Sequence, residues 1–144
     1  MKDSSDQHKI IVSNQLIHKT GLYYVCYELS KRHWNVMLNS QNAVGIDAVI
    51  HCRNGKEFTI QVKSLSRTDR AAIFPTTLDN IIADFIFIVN KVSDSPNIFI
   101  VNNDTVKSNS ILKKENDGNY YFEPEKFSEF KDNWDIIGDG GTNS

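Results

Sequence analysis

Three polar side chains, Asp47, Gln61 and Lys63, stand in a stretch of chain that is otherwise apolar and extended. Residues 44–52 and 56–64 form two such runs, separated by Arg53-Asn54-Gly55. Asn-Gly between apolar runs is among the strongest short-range hairpin signals. Within the second run, a period of two puts Phe58, Ile60 and Val62 on one face and Thr59, Gln61 and Lys63 on the other. The face taken by Asp47 depends on the turn. A two-residue turn at Asn54-Gly55 pairs Arg53 with Lys56 and sets Asp47 opposite Val62, on the wrong face. A three-residue loop, with Gly55 left-handed in a bulge, pairs Cys52 with Lys56 and Asp47 with Gln61, leaving Lys63 one diagonal step away. We take the three-residue loop, because it gathers all three polar side chains at one end of the hairpin.

A carboxylate, an amide oxygen and an ammonium together suit hydrolysis of a phosphodiester. Asp47 and the Gln61 side-chain oxygen are hard ligands for Mg²⁺, or Mn²⁺, an ion that keeps several waters and completes its shell from phosphate. Such a cation lowers the pKa of water and neutralises charge on the scissile phosphate. Lys63 is placed to hold or deprotonate that water and to stabilise the pentavalent transition state.

The elements that must position these residues are legible from periodicity. In residues 14–33, Leu22, Val25, Cys26 and Leu29 recur at three- and four-residue steps, which predicts an amphipathic helix, with Lys31 and Arg32 at its cation-favouring end. Residues 34–38 alternate as a short strand. After the hairpin the chain turns polar to Arg70; Phe74, Pro75, Thr76 and Thr77 read as a loop and 78–83 as a helical stretch. Residues 84–89 and 97–101 are apolar on both faces, as central strands of a covered sheet should be. A short helix is expected within 103–114, an edge strand at 120–122, and a last helix over 124–132 that packs Phe127, Phe130 and Trp134 onto the body. The fold class is α/β or α+β around a mixed sheet. We divide the chain into a polar arm (1–13), one domain (14–137, with a core to about 102 and a C-terminal cap beyond), and a flexible tail (138–144).

Composition narrows the function. With 144 residues, 40% hydrophobic and 24% charged, the chain can build one real core, and disordered or fibrous classes are excluded. Two cysteines in no metal-ligand spacing, and a polar N-terminus without an apolar segment, point to the cytoplasm and away from membranes. The net charge of -2 disfavours an indiscriminate polyanion binder, but residues 1–72 carry ten basic and six acidic groups and residues 73–144 six and twelve. All four arginines lie in the first half, so any nucleic-acid face belongs there. In the segment after the hairpin, Ser64, Ser66, Arg67 and Arg70 offer hydroxyls and guanidiniums for phosphate contacts.

Asp47 followed after a hairpin by Gln61-Val62-Lys63 resembles the PD-(D/E)XK nuclease superfamily, in the branch whose second acidic position is glutamine. Residues 21–34 (GLYYVCYELSKRHW), Gly45-Ile46-Asp47 and 60–64 (IQVKS) are similar to phrases of small bacterial endonuclease-like proteins of this branch. The resemblance implies a restriction-endonuclease-like αβββαβ core and divalent-metal-dependent DNA cleavage. It also implies metal ligation by Asp47, Gln61 and the Val62 backbone carbonyl, with Lys63 as the catalytic lysine. RNA is a second substrate to consider, and a homodimer would supply the second strand cut. One position departs from the pattern. The branch places a glutamate after the helical glycine, whereas Gly21 is followed by Leu22, which falls on the core face. Glu28 is the remaining accessory acid on the helix, though it lies about 120° round from that position and is also an i,i+4 partner for Arg32. The alternative is therefore a weakened or inactive member of the fold that binds nucleic acid or a protein partner, as an immunity or regulatory module.

Overall fold

Gly55 decides how the hairpin closes. In a computed structural model, which describes residues 4–39, 45–73, 77–108 and 111–141, with side chains from residue 14 onward, Gly55 has φ +92°. Its N–H reaches the Cys52 carbonyl at 3.0 Å, and the Cys52 N–H bonds the Lys56 carbonyl at 2.9 Å. Strands β2 (Ala48–His51) and β3 (Glu57–Ser64) then pair antiparallel with Ala48 opposite Ile60 and His51 opposite Glu57. The three-residue loop and its register are the ones expected.

Before the hairpin, α1 spans Ser4–Lys31, so the expected polar arm is, from Ser4 on, the first turns of this helix. It ends where His33 adopts φ +72°. The His33 N–H bonds the Ser30 carbonyl and the Trp34 N–H the Leu29 carbonyl, at 3.0 and 3.1 Å, the left-handed cap that usually recruits glycine. Strand β1 (Asn35–Leu38) follows and pairs with β2. Beyond β3 come β4 (Ala71–Ile73), β5 (Phe85–Asn90) and β6 (Asn97–Asn102). The main sheet has the order β1-β2-β3-β5-β6, with β3 and β5 parallel and its other pairs antiparallel.

Both faces of this sheet are covered, which explains why the six residues of β5 are all buried. Phe85, Phe87 and Val89 face α1 and join Val25, Leu29, Ile60 and Val62 in one core. Ile86 and Ile88 face the other way, into a second core with Ile73, Phe122 and Phe127. The second core lies under a small sheet of order β4-β8-β7, in which β7 is Leu112–Lys114 and β8 is Tyr120–Phe122.

Several expectations change. The helix expected over 78–83 is one 3-10 turn at Leu78–Asn80, so the link from β3 to β5 is built from β4 and that turn, not from a helix. Asp84 fixes the end of the link: its Oδ2 accepts from the Thr59 N–H at 2.8 Å and its own N–H donates to Thr59 Oγ1 at 3.0 Å. Residues 120–122 are the centre of the small sheet, not an edge. Strand β6 is at the edge of the main sheet and is covered by the C-terminal segment, where the Asp132 N–H donates to the Ile98 carbonyl at 2.8 Å. The short helix expected within 103–114 is α2 (Asn103–Lys107). The last helix is α3 (Pro124–Phe127) followed by a 3-10 turn, and Trp134 packs on the first core, not the second. The tail is docked as far as Gly141: Trp34 Nε1 donates to the Gly138 carbonyl at 3.0 Å and the Gly140 N–H to the Arg32 carbonyl at 2.9 Å. The loop expected at Phe74, Pro75 and Thr76 lies outside the described residues, as do residues 1–3 and 142–144. No helix among the described residues is long and apolar enough to cross a membrane.

One close approach seats α1 on β3. A Cβ on Gly21 would lie 2.6 Å from Ser64 Cβ and closer still to Ser64 Oγ, an overlap that would require the helix to lift. Gly21→Ala is expected to lower stability by about 1–3 kcal/mol. Gly21→Ala with Ser64→Gly should recover part of that loss in urea denaturation. Equal stability of Gly21→Ala and wild type would show that the approach is not tight.

Candidate active site

The end of the hairpin opposite its turn forms a cavity of about 300 Å³ where α1, β3 and β4 meet, lined by His18, Asp47, Gln61, Lys63, Ser64 and Ala71 among others. Gln61 and Lys63 share the face of β3 that carries the chain toward the second core, alongside Ile86 and Ile88 of the parallel neighbour. Asp47 extends the β2 register to a position opposite Gln61. Its backbone is held from both sides: its N–H donates to the Ile60 carbonyl at 2.8 Å, and its carbonyl accepts from the Asn39 N–H at 2.9 Å. The carboxylate is oriented too. Asp47 Oδ2 accepts the Val62 N–H at 2.7 Å, and Oδ1 lies 3.9 Å from His18 Nε2.

Lys63 is mostly enclosed, and loss of hydration pushes its ammonium below the ordinary value of 10.5, with Asp47 opposing in part. The same carboxylate acts on Cys26 of α1, whose thiol is pushed up first by burial and then by Asp47. Burial is the larger influence on both groups, and the Asp47 carboxylate acts on each as the second. A lysine with a weakened hold on its proton, beside a fixed carboxylate, is suited to moving a proton or steadying a developing negative charge.

Of the residues named from the sequence, Asp47, Gln61 and Lys63, with Val62 implied by the resemblance and Ser64 offered for phosphate contact, line this one cavity. Ser64 also ties it to the helix, since its Oγ donates to the His18 carbonyl at 3.3 Å. Glu28 is elsewhere. Ten residues along α1 from His18, it pairs with Lys31 at 3.0 Å and Arg32 at 3.7 Å, so it supplies no carboxylate here. Leu22 packs against the first core. Arg70 departs from the expected phosphate contact: it pairs with Glu115 at 3.0 Å and Glu123 at 3.7 Å, and its guanidinium lies 3.9 Å from the centre of the Tyr121 ring. Those contacts tie the start of β4 to β8 and its flanking residues within the small sheet. Ser66 and Arg67 instead line an adjoining hollow with Lys91.

Two functional candidates escaped the sequence reading. Lys91 lies just after β5, and only the parallel pairing of β3 and β5 brings it beside Arg67. His18 had a readable signal, since it lies three residues before Gly21 and so shares the helix face that the close approach turns toward β3.

No family model and no curated protein matches the chain. Among solved structures, a bacterial homing endonuclease, I-Ssp6803I, superposes with a TM-score of 0.57 over 85% of this chain and 90% of that one, at 13% identity. The fold is nuclease-like. At that identity the likeness covers the arrangement of helix and sheet, and the chemistry of the cavity stands on its own residues.

Two stability measurements follow from the burial of Lys63 and the pairing of Arg70. Because the folded chain binds the Lys63 proton less tightly than the unfolded chain, the residue costs stability below its depressed pKa. That cost disappears as pH rises toward 10.5. Lys63→Met is expected to be more stable than wild type at pH 7 by about 1 kcal/mol, with the gain shrinking as pH approaches 10.5. A less stable Lys63→Met would show that the ammonium's contacts outweigh its burial. Arg70→Ala should lower the melting temperature, whereas Arg67→Ala should leave it unchanged.

Proposed function

We propose that this chain is a divalent-cation-dependent DNA endonuclease. The observation that carries the reading is the gathering of Asp47, Gln61 and Lys63 in one cavity by a register that a one-residue slip would destroy. The donor set fits a small hard cation: a carboxylate oxygen, an amide oxygen and the Val62 carbonyl, as the resemblance to PD-(D/E)XK nucleases also implies. Such a cation, Mg²⁺ or Mn²⁺, supplies Lewis acidity toward water and toward a phosphate oxygen.

This chain's residues do the rest. Asp47 and Gln61 would hold the cation. Lys63 Nζ holds the attacking water and can take its proton, while its positive form offsets charge on the pentavalent phosphorus. The bond formed is water oxygen to phosphorus and the bond broken is phosphorus to O3′; the leaving oxygen takes a proton from solvent, leaving a 5′-phosphate. Ser66, Arg67 and Lys91 lie along the adjoining hollow, where backbone phosphates would be held. One cavity cuts one strand, so a double-strand break needs two copies of the chain.

A second reading has its own observation. Leu22 packs on the core, and among the described residues Asp47 is the only carboxylate lining the cavity. A chain so built could bind nucleic acid or a protein partner without cutting.

Nicking of supercoiled plasmid with Mg²⁺ or Mn²⁺ separates the readings. Wild type is expected to nick, Lys63→Ala to be slower by at least about 100-fold, and Asp47→Ala to fall to background; the same assay on RNA tests that substrate. Equal rates for wild type and Lys63→Ala would remove the catalytic assignment. Binding without nicking would favour the second reading. Arg67→Ala should weaken DNA binding and reduce its salt slope by about 1, read by gel shift at several salt concentrations.

A further inference from the structure

One side chain in the cavity differs in chemistry from the rest. His18 enters from α1, and its Nε2 lies 3.9 Å from Asp47 Oδ1. Two donors on one small divalent cation, each about 2.1 Å from it, lie at most about 4.2 Å apart. The pair is within the reach of a shared ion.

The backbone that carries His18 is fixed, and its imidazole, half exposed, lies at the cavity. Its carbonyl accepts from Ser64 Oγ at 3.3 Å, and Gly21, one turn further on, lets the helix descend onto Ser64. These contacts press this turn of α1 against the end of β3. Asp47 is fixed in the complementary sense: the Val62 N–H occupies Oδ2, so the oxygen turned toward His18 is Oδ1. Among the described residues no three of His, Cys, Asp and Glu are grouped as a metal cluster. The donors that line the same cavity as His18 and Asp47 include the Gln61 amide.

A nitrogen donor changes which cation the site prefers. Mg²⁺ takes oxygen ligands in a near-ideal octahedron, whereas first-row transition ions accept imidazole readily. We infer that His18 Nε2 is a cation ligand alongside Asp47 and Gln61, making this a mixed nitrogen and oxygen site that prefers a first-row transition ion such as Mn²⁺ over Mg²⁺. The inference deepens the hydrolytic reading above and rests on it only for the use to which the cation is put.

Direct metal binding tests it on the full chain without DNA. Calorimetric titration with Mn²⁺ and, separately, with Mg²⁺ should show Mn²⁺ bound at least tenfold more tightly. His18→Ala should lose at least tenfold in Mn²⁺ affinity while changing Mg²⁺ affinity little. His18→Asp should move the preference toward Mg²⁺. Electron spin-echo modulation of bound Mn²⁺ should carry the signature of a coordinated imidazole nitrogen in wild type, absent in His18→Ala. Circular dichroism checks that both variants remain folded. Unchanged Mn²⁺ affinity and no nitrogen signature would overturn the inference, and the nicking of Lys63→Ala would still decide the hydrolytic reading independently. A wild type that binds no Mn²⁺ at millimolar concentration would overturn it equally.

Discussion

Asp47 reaches the cavity because Gly55, at φ +92°, closes the hairpin in three residues and sets His51 against Glu57 and Ala48 against Ile60. Side chains alternate along a strand, so a shift of one residue would turn Asp47 to the other face and swap the buried and exposed sets of both strands. The register thus fixes the site and the core at once. Ile60 and Val62 are buried toward α1 by the same pairing that turns Gln61 and Lys63 toward the cavity. The hydrophobic penalty for misregister protects the polar constellation, which has little cohesion of its own.

The site works against the stability of the fold in one respect. Lys63 sits on an inner face, where loss of hydration weakens its hold on a proton, and the nearby negative charge of Asp47 offsets only part of that cost. Buried charge placed in a cleft is a common mark of chemistry. Arg70 shows the contrasting case. It too follows the site strand, but Glu115, Glu123 and Tyr121 hold it on the surface, and it ties the start of β4 to β8 within the small sheet. The separation of charge along the chain has a structural counterpart here. Acids of the second half neutralise an arginine of the first, and Arg67 stays beside Lys91 at the hollow next to the cavity.

Local signals were enough for the hairpin, α1 and the doubly buried β5, because each depends on a turn residue or on a period that the sequence displays directly. Positions 78–83 misled because Leu78, Ile81 and Ile82 stand at i, i+3 and i+4, a helical spacing, yet Asp84 bonds Thr59 and draws the chain into extended form after a single turn. The tail misled for the same kind of reason: three glycines within seven residues read as loose, but Gly140 lets the backbone pass His33 closely, where a Cβ would meet its carbonyl oxygen at 2.6 Å. In the site, Asp47, Gln61 and Lys63 were legible from alternation and loop length. Lys91 was not, since it enters through the pairing of β3 with β5, and His18 was signalled only by its place one turn before Gly21.

The central claim is that the cavity at the end of the β2–β3 hairpin is a cation site built on Asp47 and Gln61. Anomalous diffraction from crystals soaked in Mn²⁺ tests it most directly. The account predicts a peak bonded to Asp47 Oδ1 and the Gln61 side-chain oxygen, lost in Asp47→Ala crystals. A well-occupied Mn²⁺ elsewhere on the chain, with none in this cavity, would contradict it.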